Sequence, residues 1–395
     1  MRIPSFAFSR TPQIYFGPGE FKCIAEILRR HQATKVLLIT GALSFRSSAN
    51  WNLLLQLLDK HSIEIFDYAL SGEPSPDHVD SVVSDFSDRS IDFVVAIGGG
   101  SVIDLGKAIS AMLPLNTSVI DYLEGVGTKT HSGTKIPFIA VPTTAGTGSE
   151  ATKNAVLSKI GTNGFKKSLR HDNFMPDFAI IDPKLTLSCP PATTAACGLD
   201  ALTQLLESYV STGSTPITDA LADSGLTYIR KTFLAAVTSG ADNIAIRSGM
   251  AYAALISGIT LANAGLGTVH GLASPIGGYF EIPHGVFCGT MIGAATEMNI
   301  DKLRYGHNSK SSVHLKKYAD VGYLFANSAG DDVEQGCRLL TKTLSAWIDQ
   351  LNLPRLRHFG ISESSLPKIA TAGSNKNNPV ELTKDDIIEL LRKRL

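Results

Sequence analysis

The chain has 395 residues, with 36 Lys+Arg against 36 Asp+Glu, 44% hydrophobic and 18% charged residues. The balanced charge leaves no basic excess for binding nucleic acid, the apolar content argues against intrinsic disorder, and the length allows two or three domains. Five cysteines (Cys23, Cys189, Cys197, Cys288, Cys337) are scattered without paired spacing; they make a poor disulfide framework or zinc cage and fit a reduced, cytoplasmic setting.

The N-terminus, MRIPSFAFSRTPQIYFG, has no apolar core of the kind a signal peptide carries. Lys35–Thr40 (KVLLIT) reads as a buried parallel strand, Ser48–Lys60 as a helix, Glu64–Tyr68 as a strand and Asp77–Asp88 as a helix. Asp92–Ile97 is a buried strand that ends in Gly98-Gly99-Gly100, and Val102–Ala111 follows as a helix. Phe138–Val141 is a strand followed by a turn-rich stretch, and Phe178–Asp182 is the last strand. Strands alternating with helices predict a mostly parallel sheet with crossover connections.

Beyond Pro183 the pattern turns helical. Thr193–Val210, Pro216–Ala236, Asn243–Leu261, Ser312–Phe325, Asp331–Leu351 and Thr383–Arg394 are predicted helices, the last opened by Thr383 and Asp386 at capping-box spacing. Residues 250–280 contain no Asp, Glu, Lys or Arg. Their many Gly, Ala, Ser and Thr predict buried core helices rather than a membrane span, broken at Pro275 and Gly277-Gly278. A domain boundary is expected near residues 183–192, giving an α/β domain over 1–187 and an all-helical domain over 188–395.

Two loops carry chemistry. Gly98-Gly99-Gly100-Ser101 joins a buried strand to a helix, where close backbone approach and free helix N–H groups suit a diphosphate. It is neither GxGxxG nor a P-loop. Asp104 and Lys107 on the next helix have the spacing of a solvated i,i+3 pair. Pro142–Glu150 (PTTAGTGSE) is a dense hydrogen-bonding loop after another strand, where such sheets bind ligands. In the helical half, Asp200 and Gln204 share a helix face at i,i+4 in an apolar context. With His270 and His284 they offer the donors of a divalent site, although a lone histidine on an apolar segment is more often a satisfied core residue.

These segments resemble the iron-containing alcohol dehydrogenase family, in the superfamily that includes glycerol dehydrogenases and dehydroquinate synthases. The similarity lies in GGGSVIDLGKAIS (98–110), PTTAGTGSEAT (142–152), IIDPKLT (180–186), GLDALTQLLESYVS (198–211), NAGLGTVHGLASPIGG (263–278), IPHG (282–285) and NNPVELTKDDI (377–387). The resemblance implies a Rossmann-like dinucleotide-binding domain, an all-α domain and an active site between them. It implies NAD(P)-dependent hydride transfer between an alcohol and an aldehyde or ketone, assisted by Fe²⁺ or Zn²⁺, in a homodimer or larger homo-oligomer. The diphosphate would lie over Gly99, Gly100 and Ser101, with Asp104 in the same site. Thr143, Thr144 and Thr147 would line the nicotinamide side, with Asn154 and Lys166 nearby. The metal positions are Asp200, Gln204, His270 and His284, the two histidines also standing as catalytic candidates. A metal-independent carbonyl or oxo-acid reductase and a non-catalytic nucleotide-binding relative remain alternatives.

The departures from the family pattern are specific. Gln204 replaces the usual first metal histidine. Ser274 stands where relatives often carry a second active-site histidine, and Gly293-Ala294 replaces a Pro-His pair; these changes are expected in one pocket. Gly41 follows KVLLIT where many relatives carry an Asp that would bind the adenosine 2′-hydroxyl. With Ser44, Arg46 and Ser47 nearby, its absence favours NADP.

Overall fold

A computed structural model of the chain describes residues 5–161, 164–306 and 311–395. The first half contains β1 (Gln13–Phe16), α1 (Cys23–Arg30), β2 (Lys35–Gly41), α2 (Ala49–Asp59), β3 (Glu64–Leu70), α3 (Pro76–Phe86), β4 (Phe93–Gly98), α4 (Gly100–Met112) and β5 (Phe138–Pro142). It continues through β6 (Asn154–Lys159), β7 (Phe165–Arg170) and β8 (Phe178–Ile181). Six strands form one parallel sheet in the order β1-β8-β5-β4-β2-β3. The continuous apolar runs of β2, β4 and β5 are buried on both faces, as a doubly covered parallel sheet demands. Ile24, Leu28, Leu54 and Leu58 from α1 and α2 fill one face, and Val79, Val83, Ile103 and Ile109 from α3 and α4 fill the other.

The sequence reading passes over β1, α1 and the β6–β7 hairpin. β1 and α1 are short and half polar. The antiparallel hairpin, Asn154 opposite Arg170 and Lys159 opposite Phe165, is rich in Lys and Ser. Its inward residues Ala155, Leu157 and Leu169 pack under α4, so tertiary burial rather than β-propensity holds it.

The helical half runs α5 (Pro191–Val210), α6 (Pro216–Val237), α7 (Ile244–Ala264), α8 (Thr268–Tyr279), α9 (His284–Tyr305), α10 (Ser311–Phe325), α11 (Val333–Gln350), α12 (Leu366–Ala372) and α13 (Lys384–Arg392). The Thr383–Asp386 capping box opens α13 as its spacing predicts. By length and composition α7 could cross a membrane, but 67% of its apolar window is buried in the fold. The expected break at Pro275 does not occur. Pro275 lies inside α8, and the Gly271 carbonyl that it cannot bond accepts the Ser374 N–H at 3.2 Å.

The loop after β5 is wedged against this half. Gly148 has φ +61°, and a Cβ there would come within 2.5 Å of the Gly258 backbone in α7. A Cβ on Gly146 would meet Cys197 of α5 at 2.8 Å. Glycine is therefore needed for the threonine loop to touch both helices. That contact places the carboxyl ends of β4 and β5 beside the pocket-lining faces of α5 and α7.

Candidate active site

One wall of the resulting cleft is built from backbone and small side chains. Gly99 caps α4 with extended backbone, and no side chain caps that helix, so first-turn N–H groups are left for an anion. The β4 and β5 loops are in contact: a Cβ on Gly100 would sit 2.5 Å from Thr147 Cγ2, and one on Gly99 would meet Thr144 Oγ1 at 3.5 Å. Thr143 donates its N–H to the Gly98 carbonyl at 2.9 Å, closing the start of the β5 loop onto the glycine turn. Gly41 ends β2, and a Cβ there would meet Val102 Cγ2 at 3.9 Å, an ordinary van der Waals contact. Beside it the Arg46 guanidinium donates to Thr40 Oγ1 at 2.7 Å, pairs with Asp67 and stacks over Trp51 at 4.8 Å.

Asp104 and Lys107 are not a solvated pair. Lys107 is 1% exposed, and its ammonium donates to Ser149 O and Asn154 O, both at 2.8 Å, and to Thr152 Oγ1 at 3.0 Å. Asp104, 3.7 Å from that ammonium, accepts the Ser149 hydroxyl and the Val156 N–H. Burial raises the Asp104 carboxyl pKa and lowers that of Lys107 to about 8. The pair ties α4, the threonine loop and β6 together beneath the cleft. The sequence reading takes surface exposure from an i,i+3 spacing, but α4 is buried on nearly all sides.

The opposite wall is built from charged side chains on three helices. Asp200 of α5, His270 of α8 and His284 of α9 converge: Asp200 Oδ1 lies 3.2 Å from His270 Nε2 and 3.4 Å from His284 Nε2. Cys288, one turn beyond His284, puts its sulfur 3.7 Å from both Nε2 atoms. One donor atom from each of these four residues lies within 4.8 Å of the others. Gln204, a turn after Asp200, lines the same pocket, and its Oε1 accepts the Ser257 hydroxyl at 2.7 Å. Burial pushes the Asp200 carboxyl up, but the His284 and His270 imidazoles more than reverse this and hold it well below the usual carboxylate range. Burial opposes protonation of His284, yet Cys288 and Asp200 raise it to about 9; the same neighbours raise His270 as well.

Two members of the cluster are not identified from sequence. Glu207 accepts the Val269 N–H and His270 Nδ1, both at 2.7 Å, capping α8 and fixing the His270 ring. Cys288 is visible in sequence only as an i,i+4 partner of His284 in HGVFC, hidden among five scattered cysteines. The other departures separate. Ser274 lines the pocket and donates to Lys166 O at 2.6 Å. Gly293 and Ala294 do not share that pocket: Gly293 faces Ile348 of α11, and Ala294 packs on the helical core.

The two walls enclose a cleft of about 430 Å³. Gly100, Ser101, Asp104, Thr147, Asn154 and Lys166 line one side, with Asp200, Gln204, His270 and His284 on the other. Gly41, Gly99, Thr143 and Thr144 are not among the pocket-lining residues and stand along the carboxyl edge of the sheet or behind the glycine turn. A dinucleotide fits the first wall, whose glycines keep Cβ atoms off the helix N-terminus. A divalent ion fits the second, where a buried carboxylate and thiol meet two partly exposed imidazoles.

The family model for iron-containing alcohol dehydrogenase matches residues 11–183, and that for the C-terminal region of the Fe-containing alcohol dehydrogenase family matches residues 194–395. Alcohol dehydrogenase 4 of Saccharomyces cerevisiae is 32% identical over 97% of this chain and 96% of its own length. The crystal structure of a 1,3-propanediol oxidoreductase superposes with a TM-score of 0.88 at 27% identity, covering 99% of this chain and all of that one. The sulfoacetaldehyde reductase of Bifidobacterium kashiwanohense, solved in complex with NAD⁺, superposes with a TM-score of 0.83 at 25% identity, covering 98% of this chain and 99% of that one. The chain belongs to the iron-containing alcohol dehydrogenase family and is an oxidoreductase that interconverts alcohols and aldehydes with a nicotinamide cofactor.

Proposed function

We propose that this chain interconverts a small alcohol with its aldehyde or ketone in the cleft between residues 1–187 and 188–395. The observation that carries the reading is the placement of Asp200, His270 and His284 across one cleft from Gly100, Ser101 and Thr147. The diphosphate rests on the α4 N-terminus over Gly99, Gly100 and Ser101, with Asp104 supporting that wall. Thr143, Thr144 and Thr147 shape the nicotinamide side, and Asn154 and Lys166 close it. Asp200, His270 and His284 hold a divalent ion, with Gln204 beside them on the pocket wall. Such an ion supplies Lewis-acid polarisation of the substrate oxygen. Glu207 keeps His270 oriented with Nε2 toward the cluster. The apolar Leu261, Leu266 and Ala273 exclude water from the substrate end of the cleft.

Gly41 at the end of β2 and Arg46 in the loop that follows favour NADP: the Gly41 position lacks the carboxylate that would repel a 2′-phosphate, and the Arg46 guanidinium, paired with Asp67, stands on Thr40 at the same edge. A reduced, cytoplasmic setting fits the five free thiols. The test is a panel of alcohols and aldehydes with NADH and NADPH, run on protein purified without chelator and again after metal removal. Turnover lost on chelation and restored by Fe²⁺ or Zn²⁺ supports the reading. Full turnover by metal-free protein replaces it with a metal-independent reductase.

A further inference from the structure

We infer that the thiolate of Cys288 is the fourth protein donor of the metal site, taking the place left by the imidazole that Gln204 does not supply. This rests on the reading above that Asp200, His270 and His284 hold a divalent ion. A metal bound at about 2.0–2.1 Å to nitrogen or oxygen and about 2.3 Å to sulfur spaces its tetrahedral donors about 3.3 Å apart for N and O and about 3.6 Å apart for N and S. The observed separations are 3.2 and 3.4 Å between Asp200 Oδ1 and the two imidazoles, and 3.7 Å from Cys288 Sγ to each. These four separations match such a polyhedron, and all four donor atoms, from three helices, lie within 4.8 Å of one another.

Further observations support the sulfur as donor in place of the amide. Gln204 is neutral, and its carboxamide oxygen is held by Ser257 on α7 at 2.7 Å. Cys288 is fully buried, yet its sulfur faces two imidazole nitrogens. With Asp200 it brings two anionic donors to a divalent charge at a site where Asp200 and Cys288 are almost inaccessible to water, which offsets the cost of burying that charge. Glu207 on His270 Nδ1 supplies the outer hydrogen bond that orients a ligating imidazole. The i,i+4 placement of His284 and Cys288 on α9 stands in for the i,i+4 pair that Asp200 and a histidine would otherwise form on α5. A thiolate also softens the donor set and favours Zn²⁺ over Fe²⁺.

The experiment uses the full chain stripped by chelator and reloaded with Co²⁺ alone, followed by absorption. A near-ultraviolet thiolate-to-cobalt charge-transfer band is expected in the wild type, absent in Cys288→Ser and retained in Gln204→Ala. Zn²⁺ affinity, measured by competition with a chromophoric chelator, should fall at least about tenfold in Cys288→Ser and stay within about threefold in Gln204→Ala. Cobalt d–d absorption without the charge-transfer band in the wild type would overturn the sulfur assignment while leaving the ion on Asp200, His270 and His284. So would Gln204→Ala losing the affinity that Cys288→Ser keeps. No cobalt absorption at all in the wild type would overturn the underlying metal reading and this inference with it. The wild-type spectrum decides the matter even if Cys288→Ser does not fold.

Discussion

The two walls of the cleft solve opposite problems. The wall on the sheet side is made of absences: Gly99 and Gly100 leave out Cβ atoms so that backbone N–H groups and threonine hydroxyls can approach a ligand. The wall on the helical side is made of commitments. A buried carboxylate and a buried thiol meet two partly exposed imidazoles, one of them held by Glu207, at a desolvation cost that only mutual pairing or an ion offsets. A wall built from backbone is local in sequence and tolerates change around it. A wall built from side chains of α5, α8 and α9 spans residues 200 to 288 and fails when one member is lost.

The largest effect is expected from Asp200→Ala. It removes the carboxylate that both imidazoles face, and loss of Lewis-acid assistance worth several kcal/mol predicts a fall in kcat/KM on the order of 10³-fold. Steady-state rates and metal content, measured side by side, check it. A variant that keeps its rate, together with a wild type indifferent to chelator, would erase the contrast between the walls.

On the other wall, Gly99→Asp should weaken cofactor binding by at least about tenfold, or about 1.4 kcal/mol, because it sets a carboxylate against the diphosphate. Its Cβ meets Thr144 only at van der Waals distance, so the fold should persist. Fluorescence titration with NADPH gives the answer, and unchanged affinity would remove the cofactor from that turn.

The loop after β5 has a pH signature at Glu150, which is 2% exposed. Burial raises the Glu150 carboxyl from 4.5 to about 7. Between those values the folded chain binds more protons than the unfolded one, so this group's contribution to stability is present below pH 4.5 and is lost as pH rises to 7. Glu150→Gln should flatten that limb by roughly 1–3 kcal/mol in denaturant melts across pH 5 to 7. An identical pH profile in the variant would show that Glu150 does not carry it.

The smallest change is expected at the adenosine end. Gly41→Asp has room, its Cβ being 3.9 Å from Val102, and should shift the ratio of kcat/KM for NADPH over NADH about tenfold toward NADH. A wild type that already strongly prefers NADH would count against the role given to the missing acid.

Local pattern decided much of this molecule. Runs such as KVLLIT and DFVVAI read as strands of a doubly covered sheet, and a Gly-rich turn between strand and helix reads as a candidate anion site, because both patterns depend on neighbours a few residues apart. Asp200 and the two histidines were candidates by residue type, spacing and apolar context, and their resemblance to family motifs singled them out. Tertiary structure decided what depends on distant partners. It buried Lys107 at an apparently solvated spacing, held the polar β6–β7 hairpin under α4, carried α8 through Pro275 by lending a Ser374 N–H, and sent Gly293 away from the pocket. It also brought Cys288 and Glu207 to the histidines. Nothing within a turn of either residue announces the His270 ring; only the packing of α5, α8 and α9 puts the three elements at one point, and side-chain chemistry at that point is a property of the packing.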